Sequence, residues 1–171
     1  MKYLLLFLLL LSQLLASSID LSTFKADFTQ SITDDKNKVL TYKGDILASN
    51  SQKALWRYSF PIKKLVYLDK NKVTVVEPEI EQVIIRYINS NFDFFNMIKN
   101  AKKISKNRYL TIFNNVKFTI NLKDDKINSI TYLDEFENKV NINFKNQKQN
   151  IHIDNNEFVP KYDLDFDIIR D

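Results

Sequence analysis

The sequence has no cysteine, one glycine and one histidine among its 171 residues. Without cysteine there are no disulfides, thiolate nucleophiles or thiolate metal ligands. Gly44 stands alone, which excludes a glycine-rich phosphate-binding loop. His152 lies between Ile151 and Ile153, so on a strand its side chain would point away from theirs, and we expect solvent exposure rather than catalysis or metal binding. Neither a metal nor a cofactor is therefore expected.

Charge of either sign is in small excess only. Lysine and arginine number 25 against 21 acidic residues, a formal net charge of +4 that is spread in mixed sign along the sequence. Because there is no dense arginine-rich run, nucleic-acid binding is not expected. Glu77, Glu79 and Glu81 alternate and could be imagined as an acid and a base. Pro78 places them at the solvated start of a strand with no nucleophile nearby, so an enzyme is not expected.

The longest apolar run lies at the N-terminus. Lys2 is followed by an apolar run that ends in small residues, which predicts a secretory signal peptide over residues 1–18, cut after Ala16 or Ser18. The alternative, a membrane anchor, is disfavoured because the run is shorter than the roughly 20 residues that span a bilayer. Residues 19–171 are then expected to form a single globular domain outside the cytoplasm.

Alternation of apolar and polar residues predicts about ten strands joined by short polar turns. The first is predicted from Phe24 to Ile32, although the spacing of Leu21, Phe24 and Phe28 would also suit a helix. After a break at Pro78, a long strand is predicted over residues 80–88. The last predicted strands are a short one at Ile151 and Ile153 and an edge strand from Phe158 to Ile169.

One segment has the periodicity of a helix. From Phe94 to Ile104 the apolar residues fall on one stripe and the lysines on the opposite side, which predicts an amphipathic helix packed on a sheet face. We expect Lys99, Lys102 and Lys103 to form a solvated helix face, with docking to an acidic partner or to phospholipid head groups as the alternative. The chain is thus predicted to be mainly β (α+β), a strongly curved antiparallel sheet or barrel with one helix on its apolar side.

An aromatic strand stands out between Lys53 and Pro61. Since side chains alternate along a strand, one face carries Ala54, Trp56, Tyr58 and Phe60. In an arbitrary β protein such a face is more often plain core than a wall left open for a ligand. Both interpretations stay open from the pattern alone.

Several segments, in their order and spacing, resemble the LolA family of periplasmic lipoprotein carriers. The matching segments are Phe24-Lys-Ala-Asp-Phe28-Thr-Gln30, then Gly44-Asp45, then Trp56-Arg-Tyr58 with a later Pro61, then Glu81-Gln82-Val83 and the helix that follows. The resemblance implies that the Phe24 segment is a strand. It also implies the family's fold, an unclosed antiparallel β half-barrel with a helical lid over an apolar cavity.

The resemblance further implies a function for the aromatic face. A periplasmic monomer would accept acylated lipoproteins from an inner-membrane ABC lipoprotein-release complex, shield their acyl chains, and pass them to an outer-membrane receptor or to the membrane itself. The alternative is a general periplasmic lipid or fatty-acid binding protein on the same scaffold. The residues expected to line the cavity and lid are Phe24, Phe28, Trp56, Tyr58, Phe60, Val83, Ile85, Phe94, Met97 and Ile98.

Two departures from the family pattern concern the lid. Many relatives carry Arg-Pro just before the tryptophan strand, an arginine thought to latch the lid, and here Asn50-Ser51 occupy the corresponding positions. The family's first helix precedes the Phe24 segment. Few residues separate the predicted cleavage site from Phe24, so we expect that helix to be short or absent.

Overall fold

A computed structural model of the chain describes residue 19 and residues 21–88 and 93–170. The predicted signal peptide lies outside these residues, as do residues 89–92, which precede the helix. Within them the chain forms twelve strands and one α-helix, α1. Their bounds are β1 Thr23–Thr33, β2 Val39–Ser49, β3 Lys53–Phe60, β4 Lys64–Asp69, β5 Lys72–Glu77, β6 Gln82–Tyr87, α1 Phe94–Lys99, β7 Lys102–Ser105, β8 Arg108–Phe113, β9 Val116–Lys123, β10 Lys126–Leu133, β11 Lys139–Gln149 and β12 Asp167–Arg170.

All twelve strands belong to one sheet, in the order β12-β6-β5-β4-β3-β2-β1-β11-β10-β9-β8-β7. Neighbouring strands are antiparallel except β12, which runs parallel to β6. The two halves of the chain meet where β1 pairs with β11. The sheet has free edges at β12 and β7, which confirms the predicted unclosed β fold and the predicted edge position of the last strand.

The turns form without glycine. Left-handed backbone conformations fall instead mainly on asparagine and aspartate, whose short polar side chains tolerate a positive φ. Asn114 and Asn115 both have it in the β8–β9 turn, and Asp124 and Asp125 in the β9–β10 turn. Short turns of this kind keep successive hairpins in register.

Two clusters of apolar side chains lie on opposite faces of the sheet. The larger covers the face on which α1 packs, here called the inner face, and its most buried members include Phe24, Phe28, Ile46 and Ile120. The smaller lies on the other side of β2 to β6, here called the outer face. Its buried members are Leu47, Leu55, Tyr67, Val76, Val83 and Phe158.

The predicted helix is shorter than its periodicity suggested. α1 begins at an N-cap where the side chain of Asp93 accepts a hydrogen bond from the Asn96 amide at 2.9 Å, and it ends at Lys99 with Asn100 as the C-cap. Residues 102–105 form β7 and pair with β8. The prediction of a helix as far as Ile104 is therefore wrong, because the competing β7–β8 hairpin takes up these residues and leaves Ile104 52% exposed.

The predictions for two other segments also need correction. A 3-10 turn occupies Pro78–Ile80, so β6 begins at Gln82 rather than residue 80. Residues 151–153 form no strand, and of the predicted strand from Phe158 to Ile169 only the end is strand. Phe158 is instead buried in a second 3-10 turn, Asn155–Phe158, because this segment packs across the outer face.

Candidate functional site

One end of the inner face is closed by α1. Phe95, Met97 and Ile98 are buried in the larger cluster, and Phe94 packs against it half-buried. The ring of Phe24 lies between the helix and the sheet, with its centroid 6.1 Å from that of Phe94 and 5.2 Å from that of Phe144. The predicted residues Phe24, Phe94, Met97 and Ile98 thus come together as a closed, packed end.

Further along the inner face the predicted aromatic residues gather around Phe28. Its ring centroid lies 5.0 Å from that of Trp56 and 5.2 Å from that of Tyr58, both in edge-to-face geometry. Tyr42 makes a similar contact with Tyr58 at 6.0 Å. Such geometries are favourable for aromatic pairs. Trp56 and Tyr58 remain half-buried, so the aromatic group is packed on one side and accessible on the other.

Gly44 makes this aromatic contact possible. It pairs with Phe28 on β1 and with Tyr58 on β3, so it lies between the two rings across the sheet. A Cβ atom at Gly44 would lie 1.9 Å from the carbonyl oxygen of Arg57, which is backbone and cannot move aside cheaply. The only glycine of the chain is therefore required by a close approach of β3 to β2.

The polar atoms of the aromatic group are the hydroxyls of Tyr42 and Tyr58 and the indole nitrogen of Trp56. The Tyr58 hydroxyl donates to Oε1 of Gln30 at 3.3 Å. Burial raises the pKa of Tyr58 to about 12, and the neighbouring Tyr132 and Tyr42 contribute to the same shift. Burial, followed by the nearby Asp134, also raises the pKa of Tyr132. Both phenols are therefore neutral at physiological pH, although the Lys64 ammonium lies 5.1 Å from the ring centroid of Tyr58 and the Asp134 carboxylate lies near Tyr132.

From Trp56 an apolar strip continues towards the β12 edge of the sheet. Cross-strand pairing places Trp56, Val66, Val75 and Ile84 in one row on β3, β4, β5 and β6, and paired residues share a face. All four are half-buried. Val66, Val75 and Ile84 belong to neither apolar cluster of the described chain, so no described layer covers this strip. The row ends at Ile169, which pairs with Ile84 and is 38% exposed.

Three predicted residues lie elsewhere. Val83 and Ile85 point to the outer face and pack in the smaller cluster, so the strip contains Ile84 between them. Phe60 is 51% exposed at the end of β3, with the Lys43 ammonium 5.8 Å from its ring centroid. Sequence alternation did not identify Val66, Val75 and Ile84 as residues of the site. Aligning β4, β5 and β6 opposite Trp56 from the lengths of the connecting turns would have identified them.

The predicted lysine face is divided between two elements. Lys99 is exposed on α1, whereas Lys102 and Lys103 are exposed neighbours on β7. Because successive side chains of a strand point to opposite faces, these three ammonium groups share no single helical face. The expectation of one solvated helix face is therefore wrong for Lys102 and Lys103. His152 is exposed, as its position between two isoleucines predicted.

The residues before the tryptophan strand do contact the helix region. Asn50 lines a groove of about 310 Å³ together with Leu21, Asp93 and Phe95. Nε2 of Gln52 donates to Oδ2 of Asp93, the N-cap of α1, at 3.2 Å. In place of the expected arginine, the β2–β3 turn thus reaches the helix through a neutral amide.

The outer face of β3 is tied to the C-terminal segment. Arg57 lies 2.6 Å from Asp45 and 3.4 Å from Glu157, the latter in the second 3-10 turn. The hydrogen bond to Asp45 raises the pKa of Arg57. Ile153, Tyr162, Phe166 and Ile168 pack over the smaller cluster. The outer face of β2 to β6 is therefore covered by the chain's own residues, whereas the inner strip is not.

The described residues offer neither a cluster of metal ligands nor a membrane-spanning helix. They contain no group of three or more histidine, cysteine, aspartate or glutamate side chains that could hold a metal ion. No helix among them has the length and apolar character needed to cross a membrane.

The sheet and its inner face define a class of protein: a single open β-sheet with a partly covered apolar face. Residues 20–115 match the family model described as outer membrane lipoprotein carrier protein LolA. An outer-membrane lipoprotein carrier protein of Campylobacter jejuni is 38% identical over 169 residues, 99% of each chain. One from Helicobacter pylori strain J99 is 34% identical over 88% of this chain and 82% of its own. The chain belongs to the LolA family.

Solved structures agree with the fold. An uncharacterized conserved protein from Thermus thermophilus has a TM-score of 0.59 at 10% identity, covering 91% of this chain and 94% of its own. A LolA superfamily protein from Nitrosomonas europaea has a TM-score of 0.52 at 9% identity, covering 81% and 90%. At such low identities these similarities show the fold alone.

Proposed function

We propose that this protein carries acylated lipoproteins through the periplasm towards the outer membrane. The observation that carries the proposal is the half-buried apolar row from Trp56 to Ile84, which the described chain leaves uncovered beside a well-packed core. Membership of the LolA family and the names of the curated relatives support the same cargo. The role is one of binding and transfer, without a chemical reaction.

Acyl chains need such a surface in water. Transferring a sixteen-carbon chain into an apolar environment is worth on the order of 12 kcal/mol, at about 0.8 kcal/mol per methylene. An uncovered chain would therefore aggregate or remain in the inner membrane. A half-buried aliphatic and aromatic strip without charged atoms provides apolar contact without the directional hydrogen bonds that would slow release.

We assign the acyl contacts to the strip and the aromatic group, with Trp56 where the two meet. Tyr58 and Phe28 support Trp56 on the side away from the closed end. Val66, Val75 and Ile84 extend the contact towards the β12 edge, while Val83 and Ile85 are set aside because they face the outer cluster. Phe94, Met97 and Ile98 of α1 form the helical lid, which closes one end of the face over Phe24 of β1.

The route of the cargo follows from the family. The carrier would receive lipoproteins from an inner-membrane ABC lipoprotein-release complex and deliver them to an outer-membrane receptor or to the outer membrane directly. Export to the periplasm requires the predicted signal peptide in residues 1–18. A monomer suffices, since one sheet presents the whole apolar strip.

Because Trp56 is the only tryptophan, the tryptophan fluorescence of the protein reports on ligand contact at this residue. A triacylated lipopeptide with bromine on its acyl chains should quench Trp56 fluorescence on binding, whereas the deacylated peptide should not. Ile84→Ser should weaken quenching severalfold. Leu55→Ala, next to Trp56 in sequence but on the outer face, should leave the affinity of the folded protein nearly unchanged.

The same assay separates the carrier from a general lipid binder. Stronger quenching by the triacylated lipopeptide than by a brominated free fatty acid supports a lipoprotein carrier. Equal quenching, or free lipid without acylated protein among co-purifying molecules in mass spectrometry, would favour a general lipid-binding protein. Depletion in the source cell gives an independent test, because normal outer-membrane localisation of lipoproteins after depletion would contradict the carrier role.

A further inference from the structure

Exposed apolar side chains concentrate at one end of the sheet. Five hairpin connections lie at that end, here called the hairpin rim: β1–β2, β3–β4, β5–β6, β8–β9 and β10–β11. Each carries at least one large apolar residue that is between 44% and 77% exposed. These residues are Val39, Leu40, Phe60, Ile62, Ile80, Ile112, Leu133 and Phe136.

The opposite end of the sheet is different. Its connections, β2–β3, β4–β5, β7–β8 and β9–β10, consist of asparagine, serine, glutamine, lysine and aspartate. The exposed large apolar residues near that end in the described chain are Tyr87 on β6 and Ile104 on β7. Scattered exposed apolar residues are ordinary, but their recurrence on every hairpin of one end indicates a contact surface.

Basic and acidic residues are unevenly distributed among the hairpins of the rim. The neighbouring β1–β2 and β3–β4 hairpins and the start of β2 carry the lysines Lys36, Lys38, Lys43, Lys63 and Lys64 against two aspartates, Asp34 and Asp35. The hairpins on either side, β5–β6 and β10–β11, are acidic, with Glu77, Glu79 and Glu81 in one and Asp134, Glu135 and Glu137 against Lys139 in the other. The β8–β9 hairpin, further out, carries no acidic residue and one exposed lysine, Lys117. The basic charge of the rim is thus concentrated on the β1–β2 and β3–β4 hairpins.

At these two hairpins the lysines lie beside the apolar side chains. The Lys43 ammonium is 5.8 Å from the ring centroid of Phe60, and the Lys64 ammonium is 5.1 Å from that of Tyr58. Aromatic rings with lysines alongside suit the boundary between lipid head groups and acyl chains, where the ring enters and the ammonium meets phosphate. We define the central patch as Val39, Leu40, Phe60 and Ile62 together with the five lysines.

We propose that the central patch of the hairpin rim inserts into the surface of an anionic phospholipid bilayer. Separate hairpins about 10 Å apart, two strand spacings, offer protruding apolar points rather than a groove. A bilayer accepts such points independently, whereas a folded partner would have to match all of them. Basic residues near an anionic membrane add to the attraction.

The patch is continuous with the inner face. Tyr42 and Tyr58, which contact each other at 6.0 Å, lie between the aromatic group around Phe28 and the tips at Leu40 and Phe60. A carrier seated on a bilayer by this rim would bring its apolar face to the lipid, so an acyl chain would cross little water. This biological role rests on the proposed function, although insertion itself does not.

The test is flotation of cargo-free protein starting at Ile19 with vesicles of phosphatidylethanolamine and phosphatidylglycerol. Starting at Ile19 removes the predicted signal peptide, which would bind lipid by itself. The bound fraction should fall at least tenfold in Phe60→Ser/Ile62→Ser. Lys63→Gln/Lys64→Gln should reduce it about tenfold or more, with little loss on phosphatidylcholine vesicles, because each basic residue contributes about fivefold on an anionic surface.

Matched controls lie at the opposite end. Tyr87→Ser/Ile104→Ser removes two residues of similar exposure, and Lys102→Gln/Lys103→Gln removes two exposed lysines. Both should bind vesicles like the parent. Equal losses of vesicle binding in the rim and control variants, or no vesicle binding by the parent, would overturn the proposal. So would a parent that binds no vesicles but self-associates in light scattering, if Phe60→Ser/Ile62→Ser abolishes that self-association. Lipopeptide quenching of Trp56 in the same variants reports on the carrier role separately.

Discussion

The two faces of strand β3 share a backbone but have different coverings. On the outer side Leu55 is buried under the C-terminal segment, whose Phe158 is 3% exposed. On the inner side Trp56 is half-buried, and the apolar row that continues from it has no described covering. The inner side of β3 is the more apolar one in sequence, since Leu55 shares the outer side with Lys53 and Arg57, so the covering of the outer side arises from where the C-terminal segment packs. A face that its own chain covers becomes core, and a face left uncovered can serve a ligand.

The covered face should depend on Phe158 more than on any ion pair. Phe158→Ala should lower the free energy of unfolding by about 3–5 kcal/mol, the usual cost of removing a buried phenylalanine ring. Urea unfolding followed by circular dichroism would measure it. Acyl binding by the folded fraction should persist, because the removed ring lies on the outer face.

Phe136→Ala is the matched control for that substitution. Phe136 is 77% exposed on the hairpin rim, and loss of its ring should change stability by less than about 0.5 kcal/mol. If the two substitutions cost the same, the C-terminal segment does not cover a core, and the contrast between the faces fails.

The inner face should respond to alkaline pH through Tyr58. Its pKa is raised to about 12 from an ordinary value of 10.0, chiefly by burial. The folded state thus holds this proton more tightly than the unfolded chain, so the stabilising contribution is fully present below pH 10 and is lost as pH rises towards 12. We expect a loss of about 2–3 kcal/mol across that interval.

Tyr58→Phe is the control, since it keeps the ring and removes the titrating hydroxyl. Denaturation curves between pH 9 and pH 12 should show a shallower decline in the variant than in the parent. Parallel declines would mean that Tyr58 ionises freely and that this part of the inner face is open to water. Tyr132→Phe should have a similar effect, because burial also raises the pKa of Tyr132.

Sequence alternation was sufficient for most of the sheet. It predicted β1, β2, β3 and the β8 to β11 meander because each strand is long and is bounded by polar turns. The resemblance of the Phe24 segment to its family resolved an ambiguity that periodicity had left, and the structure confirms a strand from Thr23. The aromatic side of β3 was also predicted, since alternation fixes which residues accompany Trp56.

The errors have three physical causes. The face of β6 was misassigned because a 3-10 turn and a left-handed Glu81 shift the parity of the strand, and a one-residue shift exchanges the faces. Helical spacing extended α1 into β7 because hairpin pairing, which periodicity does not register, overrides local preference. The C-terminal segment was read as strand because its apolar residues pack from irregular backbone onto a distant surface.

Ile84 and Ile85 are adjacent on β6 but point to opposite faces of the sheet, so each substitution affects one face. Ile85→Ala should cost about 1–2 kcal/mol of stability, because Ile85 packs against the outer cluster, and should leave acyl binding unchanged. Ile84→Ala should cost less stability and should weaken lipopeptide quenching of Trp56. Urea unfolding measures the stability of both variants, and fluorescence titration with lipopeptide measures their acyl binding on the same preparations. A reversal of the two phenotypes would place the ligand on the outer face.

The smallest effect should come from the contact between the β2–β3 turn and the helix that closes the inner face. Gln52→Met keeps the length of the side chain and removes the amide that donates to Asp93 at 3.2 Å. Because Asp93 still caps the Asn96 amide, stability should fall by only about 0.5–1 kcal/mol. Hydrogen exchange at Met97 and Asn100, whose amides donate within the helix, should quicken, and bromolipopeptide should dissociate faster. Asn50→Ala, in the same turn, should change neither the exchange rate nor the dissociation rate. If both substitutions act alike, the turn affects the helix through packing rather than through the Gln52 hydrogen bond.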